Sequence, residues 1–150
     1  MRVIIQRVSE ASVKINGEVK GKIEKGLLVL AGFTASDTAE DLTWMARKIT
    51  QLRIFSDADD KMNLSLQDVG GDILLISQFT LFASTKKGNR PSYIKAARPE
   101  TAIPLYEAFV KQLQTELGKE IGTGEFGADM KVQLINDGPV TILIDSKNRS

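Results

Sequence analysis

The stretch ILLISQFTLFA, residues 73–83, is apolar except at Ser77, Gln78 and Thr80, and it decides how the rest of the chain is read. A long apolar run of this kind marks a strand. Gly70-Gly71 precedes it and the polar loop Ser84–Pro99 follows it, which sets its ends. The expectation is one long strand, interrupted by the polar Ser77-Gln78 pair. Leu27–Phe33, opened by Gly26, is a continuous apolar run of the kind expected for a strand buried on both faces.

Upstream, residues 2–8 (RVIIQRV) and 12–15 (SVKI) have strand character, dominated by β-branched side chains. Asn16-Gly17 joins them to Glu18–Ile23 and is a strong hairpin signal, because a type I′ turn needs positive φ at both central residues. Asp37 and Glu40 stand at capping-pair spacing. Leu42, Met45, Ala46, Ile49 and Leu52 then recur at helical spacing, so a helix is expected from about Asp37 to Gln51. Arg53–Ser56 suits a short strand and Asp57–Asn63 a turn.

Downstream, a second helix should begin near Thr101, with Pro104 in its first turn, where a missing N–H does no harm. Leu105, Phe109, Leu113 and Leu117 form its apolar stripe, and Gly118 is placed to end it. The glycine-rich link Gly122–Gly127 leads to two strands, Met130–Ile135 and Val140–Ile144, separated by Asn136-Asp137-Gly138-Pro139. With no repeat and no linker, residues 1–150 form a single domain of mixed α/β (α+β) class. Its expected architecture is a mostly antiparallel curved sheet, or barrel-like β layers, packed with two main helices.

Composition restricts the chemistry. Among 150 residues there is no cysteine and no histidine. Disulfides, thiolate metal sites, Cys nucleophiles and the Ser–His–Asp triad are therefore excluded. Catalysis, if any, must use hydroxyls, carboxylates, lysine, backbone amides or the substrate itself. The net charge of +1 argues neither for nor against a nucleic-acid partner. No run approaches the roughly 20 apolar residues of a membrane span. The N-terminus turns polar too early for a signal peptide, so the expected location is cytoplasmic, without membrane association.

Three stretches could carry function, each with a structural alternative. In a continuous strand, Ser77 and Phe79 would share one face, and Gln78 and Thr80 the other. Their polar groups either satisfy neighbouring backbone or line a pocket. Asn136–Pro139 is either an ordinary turn or a special bend, since proline is unusual just before a pairing strand. The loop from Thr85 to Arg98 carries Lys86, Lys87, Arg90, Lys95 and Arg98, plus Tyr93, and no acidic residue. It is either a solvated loop or a surface that holds phosphates and stacks a base. Gly122–Gly127 lacks the Lys-Ser/Thr ending of a phosphate loop, and Asp57–Asp60 lacks calcium-loop spacing.

Taken together, Ser77-Gln78-Phe79-Thr80-Leu81 and the downstream Asn136-Asp137-Gly138-Pro139-Val140-Thr141 resemble the motif pair of the D-aminoacyl-tRNA deacylases. The similarity runs almost end to end. It takes in Gln6-Arg7-Val8, Gly88-Asn89-Arg90-Pro91-Ser92, Ala96-Ala97, Leu105-Tyr106, Thr123-Gly124, Phe126-Gly127-Ala128, Met130 and Asp145-Ser146. Tyr93 stands where that family has phenylalanine, a change that keeps a stacking surface.

The resemblance implies hydrolysis of the ester joining a D-amino acid, or a glycine mischarged on tRNA-Ala, to the terminal ribose of tRNA. It implies no metal or cofactor, and a homodimer with active sites at the subunit interface. There, a cis Gly138–Pro139 from one subunit enters the partner's pocket and rejects L-amino acids. Ser77, Gln78, Phe79 and Thr80 become the catalytic group, with backbone N–H groups near Phe79 and Thr80 facing the oxyanion. The ribose 2′-hydroxyl of the substrate assists attack; the rival mechanism makes Thr80 a nucleophile. Substrate binding and chiral selection fall to Arg7, Met130, Asn136, Gly138 and Pro139, with Arg7 bracing the Gly-Pro loop. tRNA contact falls to Lys86, Lys87, Arg90, Tyr93, Lys95 and Arg98. The competing function is a non-catalytic RNA-binding module built on the basic loop.

Overall fold

In the computed structural model, which describes residues 1–149, the chain opens with β1 (Arg2–Ile15), β2 (Glu18–Ile23) and β3 (Gly26–Gly32). Helix α1 (Ala39–Gln51) follows, then the short pair β4 (Phe55–Ser56) and β5 (Met62–Leu64), then β6 (Asp72–Ser77). A 3-10 turn at Phe79–Phe82, helix α2 (Pro99–Leu117), β7 (Gly122–Thr123) and β8 (Lys131–Asp145) complete it. The main sheet runs β2-β1-β3-β6-β7, with β8 on the other edge of β1. Pairings of β1 with β2, β3 and β8 are antiparallel. The α1 crossover brings β6 parallel to β3, and β7 is parallel to β6. The architecture is thus the expected mixed α/β domain, a curled and nearly closed sheet with two helices.

Both apolar runs are buried on two faces. Leu27, Val29 and Ala31 of β3, with Ile73 and Leu75 of β6, join the larger core beneath the helices. Leu28, Leu74 and Ile76 enter a second core with Val8, Ala11, Val13 and Ile23. Strand β1 serves both cores: Val3 and Ile5 face the first, Val8, Ala11 and Val13 the second. Its ladder to β8 shifts register between Gln6 and Val8 and again between Val8 and Glu10. Such irregularities bend a strand and increase its twist, which is how one sheet curls around two cores.

Asn16 (φ 51°) and Gly17 (φ 80°) form the expected hairpin turn, and Gly118 (φ 80°) ends α2. Several expectations are corrected. Residues 2–8 and 12–15 are one strand, because the exposed Glu10 stays paired, opposite Ile135. The strand expected to run from 73 to 83 ends at Ser77. Met130–Ile135 and Val140–Ile144 are likewise two halves of β8, since both pair with β1. Helix α2 begins at Pro99, which occupies the first-turn position expected for Pro104; Pro104 lies inside the helix.

The cap of α1 sits one residue later than expected, with the Thr38 N–H donating to Asp41 Oδ2 at 2.9 Å. Asp37 is instead turned inward, where it accepts from the N-terminal ammonium of Met1 at 2.5 Å; both groups are inaccessible to solvent. Burial alone would raise the Asp41 carboxyl's pKa. The Lys147 ammonium at 2.8 Å and the Thr38 N–H outweigh it, holding the group well below the usual carboxylate range. A depressed folded-state pKa stabilises the fold above the ordinary carboxylate pKa, and that stability is lost as pH falls toward the depressed value. Asp41→Asn is therefore expected to lower the melting temperature at pH 7 and to lose less on acidification than the parent. Thermal melts from pH 7 to pH 3 check this, and parallel losses would refute it.

Candidate active site

Strand β6 ends where its partner runs out. The Gln78 N–H makes the last bond, to the Ala31 carbonyl at 2.8 Å, and the chain then folds into the 3-10 turn Phe79–Phe82. Gly32 permits this. A Cβ there would lie 2.8 Å from the Gln78 carbonyl oxygen, 3.2 Å from Leu81 Cβ and 3.2 Å from Phe82 Cδ2. The alternation expected of a continuous strand therefore does not exist at Ser77–Thr80. Phe79 and Thr80 open the turn instead, so their N–H groups have no acceptor within it. Thr80 Oγ1 lies 2.5 Å from Gln78 Nε2, a donor that cannot remove its proton.

Ser77, Gln78 and Phe79 border a cleft with Ala31, Gly32, Phe33, Ala97, Ala102 and Phe126. Its volume is about 10 Å³, room for a single water at most. Larger hollows lie elsewhere, such as one of about 760 Å³ between α1 and β8 around Trp44 and Ile142, and none of residues 77–81 and 136–141 borders it. Tyr106 packs on Phe126 with ring centroids 5.8 Å apart. Burial pushes its hydroxyl up to about 12, and the group has no hydrogen-bond partner among the described residues.

Residues Asn136–Pro139 are not a hairpin turn but a bulge within β8. Gln6 opposes Thr141 and Val8 opposes Asn136, so Arg7 alone faces residues 137–140. Its guanidinium, largely buried, fills the mismatch, with Nε donating to the Asp137 carbonyl at 2.8 Å and Nη1 to the Ile54 carbonyl at 2.7 Å. Asn136 closes the bulge from the other side. Its Oδ1 accepts from the Val140 N–H at 2.8 Å, and its Nδ2 donates to Thr141 Oγ1 at 3.0 Å. Gly138–Pro139 is cis, and Gly138 has φ 143°. Both residues are exposed, as are Ile135 and Leu143 on either side.

The structure thus forms two clusters. Arg7, Asn136, Gly138 and Pro139 make one; Ser77, Gln78, Phe79 and Thr80 make the other. No bulge residue borders the Ser77–Phe79 cleft. Met130 belongs beside neither motif directly: its Sδ lies over Gly124, and it packs on the second core together with Ile76. Tyr93 joins the second cluster, meeting Phe79 edge to face with centroids 5.1 Å apart. Lys86, Lys87, Arg90 and Lys95 are exposed on a loop pinned by reciprocal backbone bonds between Ser84 and Ser92. Arg98 differs from them, because Glu100 lies 3.4 Å away.

Sequence reasoning misses two contacts on the 3-10 turn. It gives Tyr93 to tRNA without its packing on Phe79, and it gives Arg2 no role. Arg2 donates to the Leu81 carbonyl at 3.0 Å and stacks on Phe82. Long-range partners of this kind leave no periodic signal in a chain.

The domain is thus a curled sheet with two helices that carries a Ser-Gln-Phe-Thr turn at a strand end and a Gly-Pro bulge braced by arginine. Residues 4–145 match the family described as D-Tyr-tRNA(Tyr) deacylase, and the chain belongs to that family, as an enzyme of the hydrolase class. It is 66% identical over 149 residues to the D-aminoacyl-tRNA deacylase of Flavobacterium johnsoniae, covering 99% of each chain. The D-aminoacyl-tRNA deacylase of Bacteroides thetaiotaomicron is 62% identical over the same share. Among solved structures, the c-Myc DNA unwinding element binding protein superposes with TM-score 0.90 at 40% identity, covering 97% of this chain and 98% of that one. A probable eukaryotic D-amino acid tRNA deacylase, at TM-score 0.82 and 18% identity over 95% and 97% of the chains, shares the fold. No helix of the described residues is long and apolar enough to cross a membrane.

Proposed function

We propose that the protein hydrolyses the ester of D-aminoacyl-tRNA in the cytoplasm, and that of glycine mischarged on tRNA-Ala, as a homodimer with an active site at each interface. Water adds to the ester carbonyl, the tetrahedral oxyanion forms, and the ribose 3′-oxygen leaves with a proton. Free amino acid and tRNA are the products. The amides of Phe79 and Thr80 face the oxyanion, and the neighbouring 2′-hydroxyl relays the proton from the attacking water to the leaving oxygen.

One observation carries the choice of mechanism. The partner of Thr80 Oγ1 is an amide donor, in a chain without histidine or cysteine, so no base is hydrogen-bonded to Thr80 among the described residues to make it a nucleophile. An aminoacyl ester is already activated, and placed donors with a placed water suffice.

The dimer reading draws support from the cleft, which is too small in one chain for an aminoacyl group. The exposed Ile135, Leu143 and Gly138–Pro139 of β8 lie on a strand paired only on its β1 side among the described residues. A second copy presenting this bulge would complete the pocket with a backbone wall close to the substrate Cα. A hydrogen or an outward D side chain fits against such a wall and an L side chain does not. Lys86, Lys87, Arg90 and Lys95 are proposed to hold the acceptor-stem phosphates, so binding should weaken with salt.

The test is deacylation of D-aminoacyl-tRNA by the purified protein, with the L-aminoacyl form as control. Thr80→Ala should remain active, slowed roughly tenfold through loss of turn order. RNA binding without turnover would favour the non-catalytic module, and an acyl group trapped on Thr80 would overturn the mechanism.

A further inference from the structure

We infer that Arg2 is a positioning residue for hydrolysis, acting through the 3-10 turn that carries the Phe79 and Thr80 amides. The inference rests on the role given to those amides above. Arg2 and Gly32 are cross-strand partners on β1 and β3, side by side beneath the turn. Gly32 supplies the close approach and Arg2 supplies the grip. Arg2 Nη1 donates to the Leu81 carbonyl at 3.0 Å, its guanidinium carbon lies 4.6 Å from the Phe82 ring centroid, and its Nε pairs with Asp145 at 2.9 Å.

These contacts take hold of the last two residues of a four-residue turn whose first two present the amides. The turn is short and internally bonded, Leu81 N–H to Gln78 and Ala83 N–H to Thr80, so its two ends move together. The planar guanidinium does three things at once: it donates to a carbonyl, covers an aromatic face and anchors to a carboxylate on β8. Lysine can do one of these at a time. Asp145, the anchor, is in turn placed by its register opposite Arg2 at the end of β8. The start of β1 and the end of β8 thus set the depth at which the amides sit. Arg2 touches no reacting atom in this arrangement, and its effect belongs on turnover, not on tRNA affinity.

The experiment is steady-state kinetics of Arg2→Ala and Arg2→Lys on D-aminoacyl-tRNA. Loss of amide alignment by about an ångström is worth up to roughly a hundredfold in rate. Accordingly kcat should fall roughly ten- to hundredfold in Arg2→Ala with KM changed less than about threefold, and Arg2→Lys should recover only part of it. Added guanidinium, at concentrations far below denaturing, should restore turnover to Arg2→Ala and leave the parent unaffected. Ile49→Val serves as the control for lost stability, since Ile49 is a fully buried core residue of α1 outside the Arg2–Asp145 contacts and the variant should melt earlier with kcat unchanged.

A kcat for Arg2→Ala within about twofold of the parent overturns the inference while leaving the proposed function intact, as does a change in KM alone or an absence of guanidinium rescue. If the parent protein itself fails to deacylate D-aminoacyl-tRNA, the reading beneath it fails first.

Discussion

A D-aminoacyl-tRNA ending in 2′-deoxyadenosine is expected to be cleaved some hundred- to ten-thousandfold more slowly than its ribose counterpart, the range contributed by a positioned proton-transfer group. The reason lies in what surrounds Thr80. Its hydroxyl receives the Gln78 amide at 2.5 Å, and no histidine or cysteine exists anywhere in the chain. Amides at the start of the turn can hold a developing oxyanion, but they cannot move the proton that water must shed. Under the proposed mechanism the substrate brings that function next to the ester. Single-turnover rates on matched ribose and deoxyribose substrates, with Kd measured alongside, separate chemistry from binding. Equal single-turnover rates would remove the 2′-hydroxyl from the mechanism and return attention to Thr80.

Gly138→Ala is expected to lower discrimination between D- and L-aminoacyl-tRNA by at least about tenfold, the scale at which one added carbon is felt in a fitted site. At φ 143° only glycine is comfortable, and an added Cβ would lie 2.9 Å from Val140 Cγ2 and 3.0 Å from Arg7 Nη2. The bulge must shift, and with it the backbone proposed to stand against the substrate Cα. Arg7→Lys should change selectivity in the same direction by a smaller amount. The charge survives, but one guanidinium no longer reaches both the Asp137 and Ile54 carbonyls. Competition between D- and L-esters of the same tRNA reads the ratio directly, and an unchanged ratio in Gly138→Ala would refute the backbone wall.

Arg7 also illustrates why part of the site was legible and part was not. The lack of histidine and cysteine narrows the chemistry by composition alone, and the paired motifs at 77–81 and 136–141 point to one family. The geometry of those motifs was out of reach. Residues 79–82 look like more strand, because Phe, Thr and Leu suit a sheet; whether they pair depends on where β3 ends, and Gly32 lets the turn fold back there. Asn136–Pro139 looks like a hairpin, because all four residues form turns. It is a bulge, because both flanking halves pair with the same strand.

Local information therefore determined the elements that depend only on neighbours: the Asn16-Gly17 hairpin, the two helices, the glycine end of α2 and the two-faced burial of the run at 27. Period and turn chemistry are written in adjacent residues. Tertiary structure alone decided what depends on distant partners. It placed Arg7 opposite the bulge, Arg2 beneath the 3-10 turn, Tyr93 against Phe79, and Asp37 on the N-terminal ammonium in place of a helix cap. Each of these side chains satisfies a group far away in sequence, and only the closure of the sheet brings that group within reach.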